Sequence, residues 1–389
     1  PQGVTAMLNF NPDGTEEENV EAMTESLATV DTMQITYAAR NSDFDGYDIH
    51  EGDYLAIYEK SLFGTSRDIK VLLKALAKKV NEDGKEYITI YYGSDINEKG
   101  DPITPQMRAI DAIRPHDEMF ENAISHGVTC GVTGPGSANV IGGTFAAIKL
   151  WGECVDEMVV KHPVAMKCAF GENPKGAYGN TLKKLPVTRM GNAAMLRETL
   201  FKAKEYLEAK NSDKPPKFDM KLEAMLPVLR REIPLKAHAH RADDILTSIR
   251  IAKEFGVKLT LEHVTEGALI VDELVRADCM LAIGPTDGQP TKIELQNKSF
   301  TTPAALHKAG VPISIITDAP VIPLQNLPMC AGLAAQAGLP MEEAWRAITI
   351  NPAKAIGVDS RVGSLETGKD ADIVIWTADP LKTVGGEAH

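Results

Sequence analysis

Two rhythms of apolar and polar residues divide the chain near residue 93. Before it, EEENVEAMTESLATV (16–30) spaces apolar residues as a helix does, behind an acidic first turn, with Thr15 where an N-cap belongs. MQITYAA (33–39) and DYLAIYE (53–59) alternate like half-buried strands. IKVLLKALAKKV (69–80) repeats near 3.6 and predicts a second helix. EYITIYY (86–92), β-branched and aromatic, predicts a strand.

From about residue 104 short apolar runs alternate with helical stretches. The runs are GVTCGVTG (127–134), AMKCAF (165–170), PLKAHAH (234–240), KLTLEHV (258–264), CMLAIGP (279–285) and ISIITDAP (313–320). Between them lie helices at 195–209, 242–255 and 302–309, and a Pro-broken polar loop at 210–217. Continuously apolar strands alternating with helices predict a parallel sheet covered on both faces. So many units predict an α/β fold of the (β/α)8-barrel type, with a doubly wound open sheet as the alternative. No GxGxxG follows a strand, which removes support for a dinucleotide site.

Composition narrows the function classes. Hydrophobic content of 43% with 24% charged residues places the chain among globular proteins. No apolar run reaches membrane-helix length, and no basic segment precedes an apolar one at the start, so the expected location is cytoplasmic. Cys130, Cys154, Cys168, Cys279 and Cys330 are scattered without a CxxC, as reduced thiols are. A net charge of −13 argues against nucleic acid and anionic membranes as partners. That charge is uneven: residues 1–92 carry 8 Lys+Arg against 17 Asp+Glu, net −9, and the remainder carries −4. The step suggests two segments of different origin.

Candidate chemistry stands at the ends of the apolar runs. His238 and His240, then His263, then Asp318 each close one of them. In a (β/α) barrel such positions ring one mouth. Imidazoles with a carboxylate suit a divalent metal, zinc above iron or manganese. The carboxylate can also serve as general base. The Gly-rich TGPGSANVIGG (133–143) can face substrate with its amides or form a tight turn; it lacks the end of a P-loop. Arg189 is a candidate for a substrate carboxylate, against a plain surface arginine.

KAHAHRADDI, LTLEHVTEG, IITDAP, AITINPAKAIGV and VGSLETGKDADIVIW, in this order, resemble the amidohydrolase superfamily, nearest its imidazolonepropionase-like and prolidase-like members. The resemblance covers about 94–389. It implies a (β/α)8 barrel over 94–360 and a strand of a small β-sandwich within 361–389. It further implies hydrolysis of C–N bonds in amides or cyclic amides with one or two divalent ions. Carried over, His238 and His263 are metal ligands, Asp318 is ligand and general base, and His240 orients substrate or water or exchanges roles with His238. Lys167 matches a position where relatives carry a bridging carboxylated lysine; the alternative is a lysine reaching to the barrel mouth. Glu172 is its rival and a substrate-side candidate. NPAKAIGV (351–358) reads as a helix start with Asn351 as cap.

The superfamily opens with a His-x-His strand, and no such pair precedes residue 238. The barrel is therefore expected to be incomplete at strand 1. Either 87–92 fills that place beside 127–133, or it stays in the N-terminal sheet beside 53–59. The runs PQGVTAMLNFNPDGTEEENVEAMT and ITYAARNSDFDGYDIHEGDYLAI over 1–93 resemble the C-terminal domain of the dihydroxyacetone-kinase-like ATP-binding subunit of fatty acid kinases, so the chain reads as a fusion. Two functions follow from these resemblances. One is a metal-dependent hydrolase of a small-molecule amide. The other is a non-catalytic scaffold contacting an acyl-carrying partner through 1–93. An unpaired apolar strand at 371–376 further predicts a homo-oligomer.

Overall fold

The computed structural model describes residues 11, 14–27, 33–38, 40–44, 46–58, 61–82, 100–288, 290–383 and 388. Its contacts divide the chain into two compact units, 1–91 and 92–389. The strand expected at 86–92, and with it both placements considered for 87–92, lies outside the described residues.

The first unit is a small α/β module. Its first helix, Glu16–Leu27, opens with a reciprocal cap. The Glu18 amide donates to Thr15 Oγ1 at 3.3 Å, and the Thr15 amide donates to Glu18 Oε2 at 2.8 Å. Strands β1 (Met33–Tyr37), β4 (Tyr54–Tyr58) and β5 (Ser61–Ser66) form an antiparallel sheet in the order β1-β4-β5. Strands β2 (Ser42–Phe44) and β3 (Tyr47–Ile49) make a separate hairpin. Helix Ile69–Glu82 seats Leu72 and Leu76 on Ala56 of β4, with Ile35, Tyr54 and Phe63 around them. The 3.6-residue repeat of this segment is this buried stripe.

The second unit holds one seven-stranded sheet curled into an incomplete barrel. Its strands are β6 (Cys130–Thr133), β7 (Ile141–Lys149), β8 (Val159–Ala169), β9 (Leu235–Ala239), β10 (Leu259–His263), β11 (Met280–Ile283) and β12 (Ile313–Ile315). Spatial order follows chain order throughout. From β8 to β12 all neighbours are parallel. Helices Arg189–Lys210, Ala242–Phe255, Val271–Ala277 and Thr302–Lys308 fall between them. Leu235, Ala237 and Ala239 of β9 share one core with Ile245, Ile249 and Ala252 of the next helix. Among the described residues no helix is long and apolar enough to cross a membrane.

Three expectations need correction. The 127–134 run predicts a parallel barrel strand, but β6 is antiparallel to β7, and β7 to β8. The connections 134–140 and 150–158 are shorter than a parallel crossover requires. Strand β7, buried along its whole length, is not among the expected strands, because its IGG start falls in the glycine-rich run. Gly143 there has φ +126, and a Cβ would lie 2.4 Å from the Met107 carbonyl, so only glycine admits that close approach. Second, Asn351 does not cap its helix. Thr349 precedes Ile350–Ala355, and the Asn351 side-chain amide donates to the Ile313 carbonyl and to Glu343, both at 2.8 Å. Third, 371–376 forms no strand ladder among the described residues. A lone bridge joins Trp376 to Ala388, and Ile373 and Ile375 are 62% and 67% exposed.

Helix Leu327–Gln336 carries a glycine with a reversed substitution effect. Within a helix, Gly to Ala normally stabilises by about 1 kcal/mol. A Cβ on Gly332 would stand 2.2 Å from the Leu381 carbonyl oxygen, which belongs to backbone. Gly332→Ala is therefore expected to cost about 1–3 kcal/mol, read as a lower urea midpoint at unchanged slope. A raised midpoint would show that residue 381 does not rest on this helix.

Candidate metal centre

Alternation along β9 sends Leu235, Ala237 and Ala239 to the helices and Lys236 and His238 to the barrel interior. His240, two residues beyond His238, continues the inward row. In β10, Glu262 pairs in register with His238 and shares that face. His263 should then point outward with Leu261. Its φ of +74 breaks the alternation, and Val264 follows at φ +50. Left-handed backbone is costly for such residues and marks a position held by its surroundings.

The result is three buried imidazoles in mutual contact. Ring centroids lie 4.8 Å apart for His238 and His240, 4.4 Å for His238 and His263, and 4.3 Å for His240 and His263. One ligand nitrogen from each lies within 4.8 Å of the others, near the roughly 3–4 Å between donors around one tetrahedral ion. His263 Nδ1 donates to the Gly284 carbonyl at 2.7 Å, which leaves Nε2 as the nitrogen bearing a lone pair. His240 Nδ1 hydrogen-bonds Thr265 Oγ1 at 2.8 Å. His263 Nε2 and both nitrogens of His238 are buried without a hydrogen-bond partner. Orphaned buried nitrogens are uncommon, and one on each of His238 and His263, beside the His240 ring, fits a divalent cation.

Electrostatics keep these rings neutral. Burial pushes the His238 imidazolium well below its ordinary pKa, with His263, His240, Lys167 and Lys292 adding to the effect. Burial, then His263, Lys292 and Lys298, bring His240 to about 2. Burial lowers His263 as well, against the upward pull of Asp318 and Glu262. All three lone pairs are thus free at neutral pH.

Beneath the rings lies a buried ion cluster. The Lys167 ammonium bonds the Glu262 carboxylate, and Lys236 Nζ lies 2.8 Å from its other oxygen. Both ammoniums stand over the Phe145 ring, at 5.6 and 5.4 Å. Burial pushes the Glu262 carboxyl up, but Lys167 and Lys236 overcome it and hold the group well below the usual carboxylate range.

The candidates from the sequence distribute unequally. His238 and His263 meet as expected, and His240 joins them in the same group of potential ligands. Asp318 is exposed in a left-handed turn (φ +53) beyond β12 and stands outside the three-histidine group, though its charge acts on His263. Lys167 is buried beside the histidines, so it does not reach for solvent; a carbamate there would set a second anion against Glu262. Arg189 sits among three carboxylates. Its Nε donates to Asp244 at 2.9 Å, and its Nη2 lies 4.0 Å from Glu172 and 3.8 Å from Glu294, buried and without a hydrogen-bond partner. Glu172 belongs to that same ionic cluster. The loop 134–140 joins β6 to β7, and Gly134 in it makes room for Phe145. Lys236, Glu262, Thr265, Gly284 and Lys298 escape sequence reasoning. Lys236 and Glu262 were accessible from the period of two, whereas Thr265 carries no signal. Lys298 lines a cavity of about 10 Å³ against His263, Thr265 and Gly284, room for about one water.

Residues 187–388 match the amidohydrolase family. The chain belongs to that family. A solved amidohydrolase from Thermotoga maritima MSB8 is 42% identical with a TM-score of 0.73, over 78% of this chain and 80% of that one. Amidohydrolase tasK of Hapsidospora irregularis is 29% identical over 316 residues, 74% of this chain and 32% of that protein. Residues 1–104 match the FakA-like C-terminal domain family of fatty acid kinases. Protein YloV of Bacillus subtilis (strain 168) is 34% identical over 99 residues, 25% of this chain and 18% of that protein. The chain thus spans about a third of the length of the first curated relative and under a fifth of the second. It is a FakA-like C-terminal domain fused to an amidohydrolase domain.

Two outcomes follow for the amidohydrolase domain. Thr265→Val removes the partner of His240 Nδ1 and is expected to weaken zinc binding about 10–100-fold with the fold retained, read by competition with a chromophoric chelator. An unchanged affinity would separate Thr265 from the centre. Acid should also destabilise the metal-free protein. As pH falls through about 6.5 the unfolded chain protonates His238 and His240, while the folded chain does not. Stability is then full above that pH and falls by about 1.4 kcal/mol per pH unit for each ring below it. Urea unfolding at pH 7.5 and 5.0 measures the slope, and His240→Gln should reduce it.

Proposed function

We propose that this amidohydrolase is a metal-dependent hydrolase of C–N bonds in small amides or cyclic amides, with one divalent ion, zinc foremost, on His238, His240 and His263. The convergence of three buried imidazoles, two of them with unpartnered nitrogens, carries the reading. Three protein ligands with a fourth position open is the arrangement of catalytic rather than structural zinc. When bound, such an ion polarises a carbonyl and acidifies water.

The chain's own residues supply the rest. The Gly284 carbonyl fixes the His263 tautomer, so that its free nitrogen faces the other two rings. Lys167, Glu262 and Lys236 form a rigid floor beneath them. Asp318 is the proton carrier: exposed and electrostatically in touch with His263, it takes a proton from the attacking water and returns it to the leaving nitrogen. The three ligand nitrogens converge on one point, so the centre is mononuclear in this proposal.

The match of residues 1–104 favours a second role alongside the first, a contact of the N-terminal module with an acyl-carrying protein. A homo-oligomer covering the exposed Ile373 and Ile375 completes the proposal, and sedimentation velocity measures it.

The deciding experiment is elemental analysis of the purified chain with a screen of N-acyl amino acids, dipeptides and cyclic amides. About one metal per chain is expected, lost in His238→Ala with His263→Ala. Asp318→Asn is expected to retain metal and lose about 100-fold or more in kcat. A folded chain that takes up no zinc, manganese or iron would overturn the reading.

A further inference from the structure

A second cavity, of about 530 Å³, lies at the other end of the strands. Its wall is formed where β9, β10 and β11 begin, at Pro234, Lys258 and Cys279, whereas the histidines stand where β9 and β10 end. In barrels of this kind chemistry belongs to the strand ends, so a cavity at the strand starts lies outside the reaction site.

Its lining has two characters. The floor is apolar and nearly closed to solvent, made of Val164, Ile249, Ala252 and Val257. Around it stand Lys161, Arg231, Lys253, Lys258 and Lys354, against only Glu232 and Asp278, a local excess of three positive charges. The chain as a whole carries −13, so this concentration opposes the general field of the protein. Two cations are held in place by backbone. Lys161 Nζ donates to the Ile356 and Gly357 carbonyls, both at 3.2 Å, and Arg231 donates to the Gly256 carbonyl at 2.5 Å. The Lys253 and Lys258 ammoniums are exposed and make no ion pair among the described residues. Fixed walls with unpaired cations above an apolar floor match a ligand with an apolar body and an anionic head.

We propose that this cavity binds a small organic anion, its apolar body on the floor and its phosphate or carboxylate head against Lys253, Lys258 and Lys354. The site is independent of the histidine centre and of the reaction proposed there. A ligand in it would bridge the starts of β9, β10 and β11, the first two of which carry the metal-binding residues at their far ends.

Titration calorimetry of the full chain with phenyl phosphate, benzoate and inorganic phosphate tests the assignment. One organic probe per chain is expected to bind, and the stronger of the two identifies the head group. Inorganic phosphate should bind more weakly than phenyl phosphate, because it leaves the floor uncovered. Lys253→Gln with Lys258→Gln should weaken the organic probe at least about tenfold, a loss of about 1.4 kcal/mol, with thermal unfolding unchanged. Lys214→Gln, on the loop 211–219, should bind as the parent does, and so should His238→Gln. The proposal falls if neither organic probe binds by about 10 mM. It also falls if Lys214→Gln costs as much as the paired change, or if His238→Gln abolishes binding and so moves the probe to the metal centre.

Discussion

A single buried carboxylate organises the interior of the amidohydrolase domain. Glu262 on β10 takes the ammoniums of Lys167 on β8 and Lys236 on β9, and so ties three adjacent strands together from inside the barrel. Buried charges are tolerable only when paired, and losing one partner typically costs about 3–5 kcal/mol. Phe145, on β7, offers its ring to both ammoniums and brings a fourth strand into the arrangement. With that layer fixed, the histidines above have one place to go. Lys167 of the cluster also adds to burial in keeping His238 and His240 neutral.

The local backbone is bent to serve the same end. Regular alternation would waste His263 on the helix-facing side, where Leu261 already fills the core. Two successive left-handed residues turn the chain inward at the cost of strain, and the Gly284 carbonyl receives the ring once turned. Gly284 itself has φ +134, and a Cβ would meet the Ile316 carbonyl at 2.3 Å. Glycine there lets β11 and β12 approach closely enough to present that carbonyl. Strain at His263, and at Asp318 in the turn after β12, gathers where chemistry is expected.

Among the described residues the sheet ends in the antiparallel run β6–β7–β8. Its short connections enforce antiparallel pairing, so the parallel part of the sheet begins only at β8. The five parallel strands suffice to carry the histidines and the ion cluster, because both are built on β8, β9 and β10 with support from β11.

The order of residues was enough for the parallel core and half of the site. Continuous apolar runs can be buried only on both faces, which dictates β8–β12. The spacing of two in KAHAH puts His238 and His240 on one face of any strand, and Lys236 with them. What folding adds lies beyond periodicity. His263 is inward because of a left-handed backbone that no pattern encodes, and Thr265 serves His240 across a turn. Asp318 stands outside the ligand group because β12 ends at Ile315 and the chain turns toward solvent. Arg189, a lone arginine in the sequence, bonds Asp244 and stands within 4.0 Å of Glu172 and Glu294, which come from elements 17 to 105 residues away. Alternation is a property of neighbouring residues, whereas ion pairing and strain depend on which distant elements meet, and only the folded chain brings those together.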